Sequence, residues 1–118
     1  MAVSDKRGKR RPLNTGDVQE VTIIAVVATP GTFKDTSFIE ADSPVTLDVN
    51  TALSRNATKF TVINDGNGDF TVSISNDGSV FGDEHTMKNG EVYSLDNISI
   101  DSIRITWIAD SAYRVVVI

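Results

Sequence analysis

The chain has 118 residues, of which 40% are hydrophobic and 23% charged, with one histidine and no cysteine. That length supports one hydrophobic core and leaves no room for a second. The missing thiols exclude disulfides, thiolate metal sites and cysteine nucleophiles, and a lone histidine leaves little for a catalytic triad or a zinc cage. No window reaches the apolar length of a membrane span, and the charged start lacks the apolar run of a secretory signal. The expectation is therefore a protein made in a cytoplasm, with no membrane partner.

The net charge of −5 conceals a division: the first twelve residues hold Lys6, Arg7, Lys9, Arg10 and Arg11 against Asp5 alone, while the remainder holds six basic and fifteen acidic side chains. An acidic body is repelled by nucleic-acid phosphates, so the body is a poor fit for DNA or RNA. The short basic arm can reach phosphate or an acidic protein surface.

Residues 1–17 show charge, glycine and proline but no apolar period, which predicts a flexible basic arm ahead of one domain over 18–118. Glu20–Ala28 (EVTIIAVVA) is too continuously apolar for a half-exposed strand and reads as a central strand buried on both faces. Thr29-Pro30-Gly31 then reads as a turn. Thr36–Glu40 and Val45–Val49 are predicted as short strands flanking a turn at Pro44, which cannot join a ladder. Residues 50–57 read as a helical turn or loop.

Lys59–Asn64 and Asp69–Ser75 stand on either side of Asp65-Gly66-Asn67-Gly68, with Phe70, Val72 and Ile74 alternating strictly with Thr71, Ser73 and Ser75, which predicts a β-hairpin. Asn76-Asp77-Gly78 and Lys88-Asn89-Gly90 predict turns with positive φ, bracketing a poor strand or crossing loop over Val80–Met87. Glu91–Leu95 is a strand candidate. Ile98–Ile108 reads as one strand whose apolar phase slips at Asp101-Ser102, where a bulge would restore Ile103, Ile105 and Trp107 to the inward face. The apolar end Tyr113–Ile118 predicts a strand docked in a sheet or against a neighbouring subunit. The whole reads as an all-β chain: an antiparallel β-sandwich or jelly-roll-like barrel of about eight short strands, with no helix longer than a turn or two.

Few residues offer chemistry. Asp65, Asn67 and Asp69 have the D-x-N-x-D spacing that opens a calcium loop, a possible metal site. The sixth position, however, is Phe70 where the loop wants glycine, and the twelfth is Asn76 where it wants a bidentate glutamate. The same residues suit a hairpin tip. His85, beside Asp83 and Glu84, reads as a loop histidine, and no G-x-S-x-G elbow is present. Phe60, Phe70 and Trp107 fall at core positions, so no exposed aromatic platform for bases or sugars is evident. The expectation is a protein that is not an enzyme and uses no cofactor.

The segment Thr58–Ile118 carries a hairpin, an S-x-D-G turn at Ser75–Gly78, an Asn89-Gly90-Glu91 segment and Ser102-Ile103-Arg104 before the closing strands. In these features it resembles small β-sandwich virion proteins of tailed bacteriophages. The resemblance implies a non-enzymatic capsid decoration or cement protein located in the virion. Its implied partners are the major capsid protein or other virion subunits, and its implied state is a homo-oligomer, with a trimer favoured. Lys6, Arg7, Lys9, Arg10 and Arg11 would be the arm's partner-binding residues. The alternatives are a head–tail or tail component and a carbohydrate-binding sandwich.

Overall fold

The computed structural model describes residues 29–118. The predicted arm over 1–17 and the predicted strand Glu20–Ala28 lie outside the described residues. Within them the chain forms eight strands: β1 (Gly31–Phe38), β2 (Val45–Asp48), β3 (Ala57–Asn64), β4 (Phe70–Ser75), β5 (His85–Met87), β6 (Val92–Ile100), β7 (Ser102–Trp107) and β8 (Ser111–Val117). They make two antiparallel four-stranded sheets, ordered β1-β8-β3-β6 and β2-β7-β4-β5. Every connection but β4–β5 passes from one sheet to the other, which is the jelly-roll course the sequence reading offered as one of its two all-β forms.

The alternation that predicts strands also builds the interior. Phe60 and Val62 on β3, Phe70 and Val72 on β4, Ile103 and Ile105 on β7, and Val115 and Val117 on β8 are all buried between the sheets. Phe38, Phe70 and Tyr113 meet edge-on, with ring centroids 5.5–6.3 Å apart, a geometry favoured by the ring quadrupoles. The apolar end is docked as expected, since β8 lies between β1 and β3.

Three expectations need correction. The first concerns β1, which begins at Gly31 rather than Thr36. Its inward positions include only one large apolar residue, Phe33, over its first five residues, so the period-2 signal was weak there.

The second is the hairpin over Lys59–Ser75: β3 and β4 belong to different sheets. Asp65–Gly68 is a crossover, and its glycines serve close packing rather than a tight turn. Neither Gly66 nor Gly68 has positive φ, while a Cβ on Gly66 would sit 2.5 Å from the Ala112 amide nitrogen and one on Gly68 would sit 2.8 Å from Ala109 Cβ.

The third is the bulge at Asp101-Ser102, which is the corner where the chain leaves the first sheet, at the end of β6, and enters the second as β7. Asp101 N–H donates to Ser75 O at 2.8 Å and its carbonyl accepts from Asn50 N at 2.9 Å, so the corner is fixed by partners on both sides. The apolar phase slip was real, and Ile103 and Ile105 are buried as anticipated. Gly78 and Gly90 do have the positive φ, +82° and +79°, that the turn reading required.

Two asparagines hold the ends of β3. At its start, Asn56 Nδ2 donates to Asn76 O (3.1 Å) and Ser99 Oγ (2.9 Å), and its Oδ1 accepts from Asn50 Nδ2 at 2.7 Å. The short helix α1 (Val49–Leu53) precedes it, with Asp48 as N-cap accepting from Thr51 N at 3.0 Å. At the other end Asn64 is buried, and its amide is fully used. Nδ2 donates to Gly68 O (2.8 Å) and Met87 O (3.0 Å), while Oδ1 accepts from Gly66 N (3.0 Å) and Ser111 Oγ (2.7 Å). One side chain thereby ties β3, the crossover, β5 and β8.

Replacing Asn64 by alanine deprives the buried Met87 carbonyl and the part-buried Gly68 carbonyl, Gly66 amide and Ser111 hydroxyl of this partner, each costing roughly 1–3 kcal/mol if left unmet. The expected loss is about 3 kcal/mol with the denaturant slope unchanged, measured by urea unfolding. A loss under about 1 kcal/mol would show that water or relaxation replaces the network.

Candidate functional site

The possible metal residues do not converge on a shared site. Asp65 accepts two hydrogen bonds from Arg114 on β8, from Nε at 2.6 Å and Nη2 at 3.0 Å, and this guanidinium holds its carboxyl below the ordinary aspartate value. Asp69 accepts from Lys88 Nζ at 2.9 Å. Asn67 is exposed at the outside of the crossover. Both carboxylates have cationic side-chain partners, and no cluster of three or more His, Asp or Glu side chains placed to hold a metal exists among the described residues.

His85 is not a loop residue. It lies on β5 opposite Val72, stacks on Tyr93 of β6 with ring centroids 4.2 Å apart, and places Nε2 3.2 Å from Glu91 Oε2. Glu91 also accepts from Lys88 N at 2.9 Å through Oε1, and that backbone bond, with the histidine, lowers its pKa. The cluster joins an edge strand of one sheet to an edge strand of the other. Its geometry is that of a structural clasp.

The outward faces of the two sheets differ. On β2-β7-β4-β5 the row facing away from the other sheet is polar and largely covered: Thr71, Ser73 and Ser75 of β4 and Ser102 of β7 are buried, beside Thr106 and Arg104. The 76–84 loop folds toward this face, with Phe81 under the Arg104 guanidinium at 3.9 Å from the ring centroid. Asp77 shapes that loop by accepting from Ser79 N and Val80 N while Ser75 Oγ donates to it. Past the end of β5, Ile74, Val80, Phe81 and Ile98 line an open groove of about 490 Å³.

The outward face of β1-β8-β3-β6 is less polar. Register places Ile63 beside Val92 of β6 and Arg114 of β8, and Thr61 beside Val116 and Ser94. Val92 is 58% and Val116 40% exposed. Ile63 with Val92 beside it on the edge strand β6, and Val116 diagonally across on β8, therefore give this face an apolar area bordered by Thr32, Thr61, Ser94 and the cations Lys34 and Arg114. A shallow depression of about 290 Å³ runs along Thr32, Lys34, Ile63 and Val116. Isolated exposed valines are ordinary, but several apolar side chains exposed on one face mark a place for contact. This patch is the candidate site. The sequence did carry a signal for it, since Val62-Ile63 and Val115-Val116-Val117 break the alternation, putting an apolar side chain on both faces. The arm residues Lys6, Arg7, Lys9, Arg10 and Arg11 lie outside the described residues.

No family model matches the chain. No curated protein is significantly similar to it in sequence. Solved structures with some likeness to the chain include CoII HppE in complex with substrate, at 10% identity and a TM-score of 0.45, over 75% of this chain and 43% of that one. PirA is another, at 13% identity and a TM-score of 0.38, over 75% of this chain and 82% of that one. The chain spans less than half the length of the HppE chain, and neither likeness carries an argument about function.

Asp48, Asp65, Asp77 and Glu91 all have pKa values lowered by hydrogen bonds to their charged forms. A carboxylate depressed in the folded state contributes stability above its unfolded pKa and loses it as pH falls through the folded value. The thermal midpoint should therefore hold near neutrality and decline below about pH 4, where unfolded carboxylates take up protons first. Glu91→Gln should lower the midpoint at pH 7, and the gap to the parent should close as pH falls from 5 toward 3, read by circular dichroism melts. A constant gap would remove Glu91 from the acid response.

Proposed function

We propose that this chain is a non-enzymatic structural protein of a phage particle, a decoration or cement protein that binds the assembled shell. The observation that carries the reading is the outward patch of Ile63, Val92 and Val116 on a sheet face. An exposed apolar face with a polar rim is the anatomy of a binding surface. The basic arm beside an acidic body supports it, because the arm's Lys and Arg can pair with acidic groups of shell subunits that the body itself would repel. The resemblance of Thr58–Ile118 to small virion proteins points the same way.

In mechanism, the face supplies the apolar contact and the arm supplies tether and orientation. A small domain gains from such an arrangement, since a repeated shell offers many equivalent sites and an oligomer engages several at once. A homo-oligomer, with a trimer favoured, and partners among the major capsid protein or neighbouring virion subunits belong to the same proposal.

Two variants test it by co-sedimentation with shells lacking the protein. Val92→Asp places a charge where an apolar contact is required. Since burying one valine contributes roughly 1.5–2 kcal/mol, losing that contact weakens binding by at least about tenfold. Deleting residues 2–12 should reduce occupancy further at moderate salt and make the remaining binding less salt-dependent. Unchanged occupancy and shell stability with both variants would overturn the reading.

A further inference from the structure

A glycine that follows Asn or Asp marks a step at which a chain can modify itself. With no Cβ in the way, the glycine's backbone nitrogen can reach the side-chain carbonyl carbon of the residue before it. The sequence holds four such steps: Asp65-Gly66, Asn67-Gly68, Asp77-Gly78 and Asn89-Gly90. A carboxylate carries negative charge and resists a nucleophile, which sets the two aspartates back and leaves the two asparagines, the more labile residue.

Asn67 and Asn89 are both exposed, so access to water does not separate them. The attacking nitrogen does. Gly90 N donates to Asn64 O at 3.1 Å, and the turn around it is closed again by Glu91 N on Lys88 O at 2.9 Å. The nitrogens of the aspartyl steps are occupied as well, Gly66 N by Asn64 Oδ1 at 3.0 Å and Gly78 N by Ser75 Oγ at 2.8 Å. At Gly68 the hydrogen bond is on the carbonyl, which accepts from Asn64 Nδ2 at 2.8 Å, and the N–H donates to no group among the described residues.

We propose that Asn67 is a site of spontaneous modification, losing its amide in the folded protein while the fold protects Asn89. Gly68 N gives up its proton to base and bonds to Asn67 Cγ. The Cγ–Nδ2 bond breaks, and that nitrogen departs as ammonia, leaving a succinimide ring. Water then opens the ring at either carbonyl, giving aspartate or isoaspartate. One water is consumed and one ammonia released, with no change of oxidation state. In the isoaspartyl product the backbone runs through the former side chain and is longer by a methylene.

That added length falls where the chain has no slack. A Cβ on Gly68 would already sit 2.8 Å from Ala109 Cβ, and Gly68 O is one of the groups that Asn64 holds. The isoaspartyl form therefore loosens the Asn64 network, whereas aspartate at position 67 keeps the original backbone path. The inference does not depend on the particle reading: a chain that never binds a shell would leave it standing.

The full chain, kept in warm, mildly alkaline buffer, can be sampled over time and mapped by mass spectrometry after trypsin, which puts Asn67 in the peptide 60–88 and Asn89 in the peptide 89–104. Asn67 should convert at least about fivefold faster than Asn89, the factor expected where one backbone hydrogen bond has to open before attack. In denaturing urea, which removes both local structures, the two rates should converge. Folded protein aged until most of Asn67 has converted should melt below the Asn67→Asp variant in circular dichroism. Equal rates in the folded protein, a difference that persists in urea, or aged protein melting together with Asn67→Asp would each overturn the proposal.

Discussion

The two sheets share one interior, and the chain must return to it from alternate sides because successive strands, β4 and β5 apart, belong to opposite sheets. Almost no stability can come from local hairpins in such a course. Each strand is held by partners distant in sequence and by the side chains it sends inward, so the apolar rows of β3, β4, β7 and β8 must mesh before any of the crossovers is fixed. The crossovers then need their own polar anchoring, since backbone that leaves a ladder loses its hydrogen-bond partners. Asn56 and Asn64 provide it at the two ends of β3, each linking segments far apart in the chain order.

Much of this was legible in the residues, and the failures have definable causes. Phe70, Val72 and Ile74 alternating with Thr71, Ser73 and Ser75 gave β4 nearly to its ends, and Gly78 and Gly90 were found by turn chemistry. Period 2 reports which side chains face inward but carries nothing about which strand lies alongside. Asp65-Gly66-Asn67-Gly68 therefore looked like a hairpin tip when its glycines are spaces for the β7–β8 connection to pass. Ile100-Asp101-Ser102 failed for the same reason: a bulge and a change of sheet produce the same slip in phase. Asn64 had no signal in sequence, because its importance arises from four partners brought together by the crossings.

The candidate site shows what survives when the obvious chemistry is tested. The residues that looked like cation ligands, Asp65 and Asp69, are engaged with Arg114 and Lys88, and the single histidine is stacked on Tyr93 between edge strands. These charged and polar groups fasten loops to strands. What the surface offers a partner is instead found where alternation breaks, at Ile63, Val92 and Val116, on a face whose rim carries Lys34 and Arg114.

The place of β8 in its sheet governs the order in which the domain can be completed. It lies between β1 and β3, so neither ladder can form until Ser111–Val117 has been synthesised, some 80 residues after β1 has emerged. At ordinary translation speeds of about 5–20 residues per second, β1 waits roughly 4–16 seconds and β3 roughly 3–11 seconds with their inner flanks open. A nascent chain of this protein is therefore exposed to chaperones and to its own siblings on the polysome for longer than a hairpin-built domain of equal length.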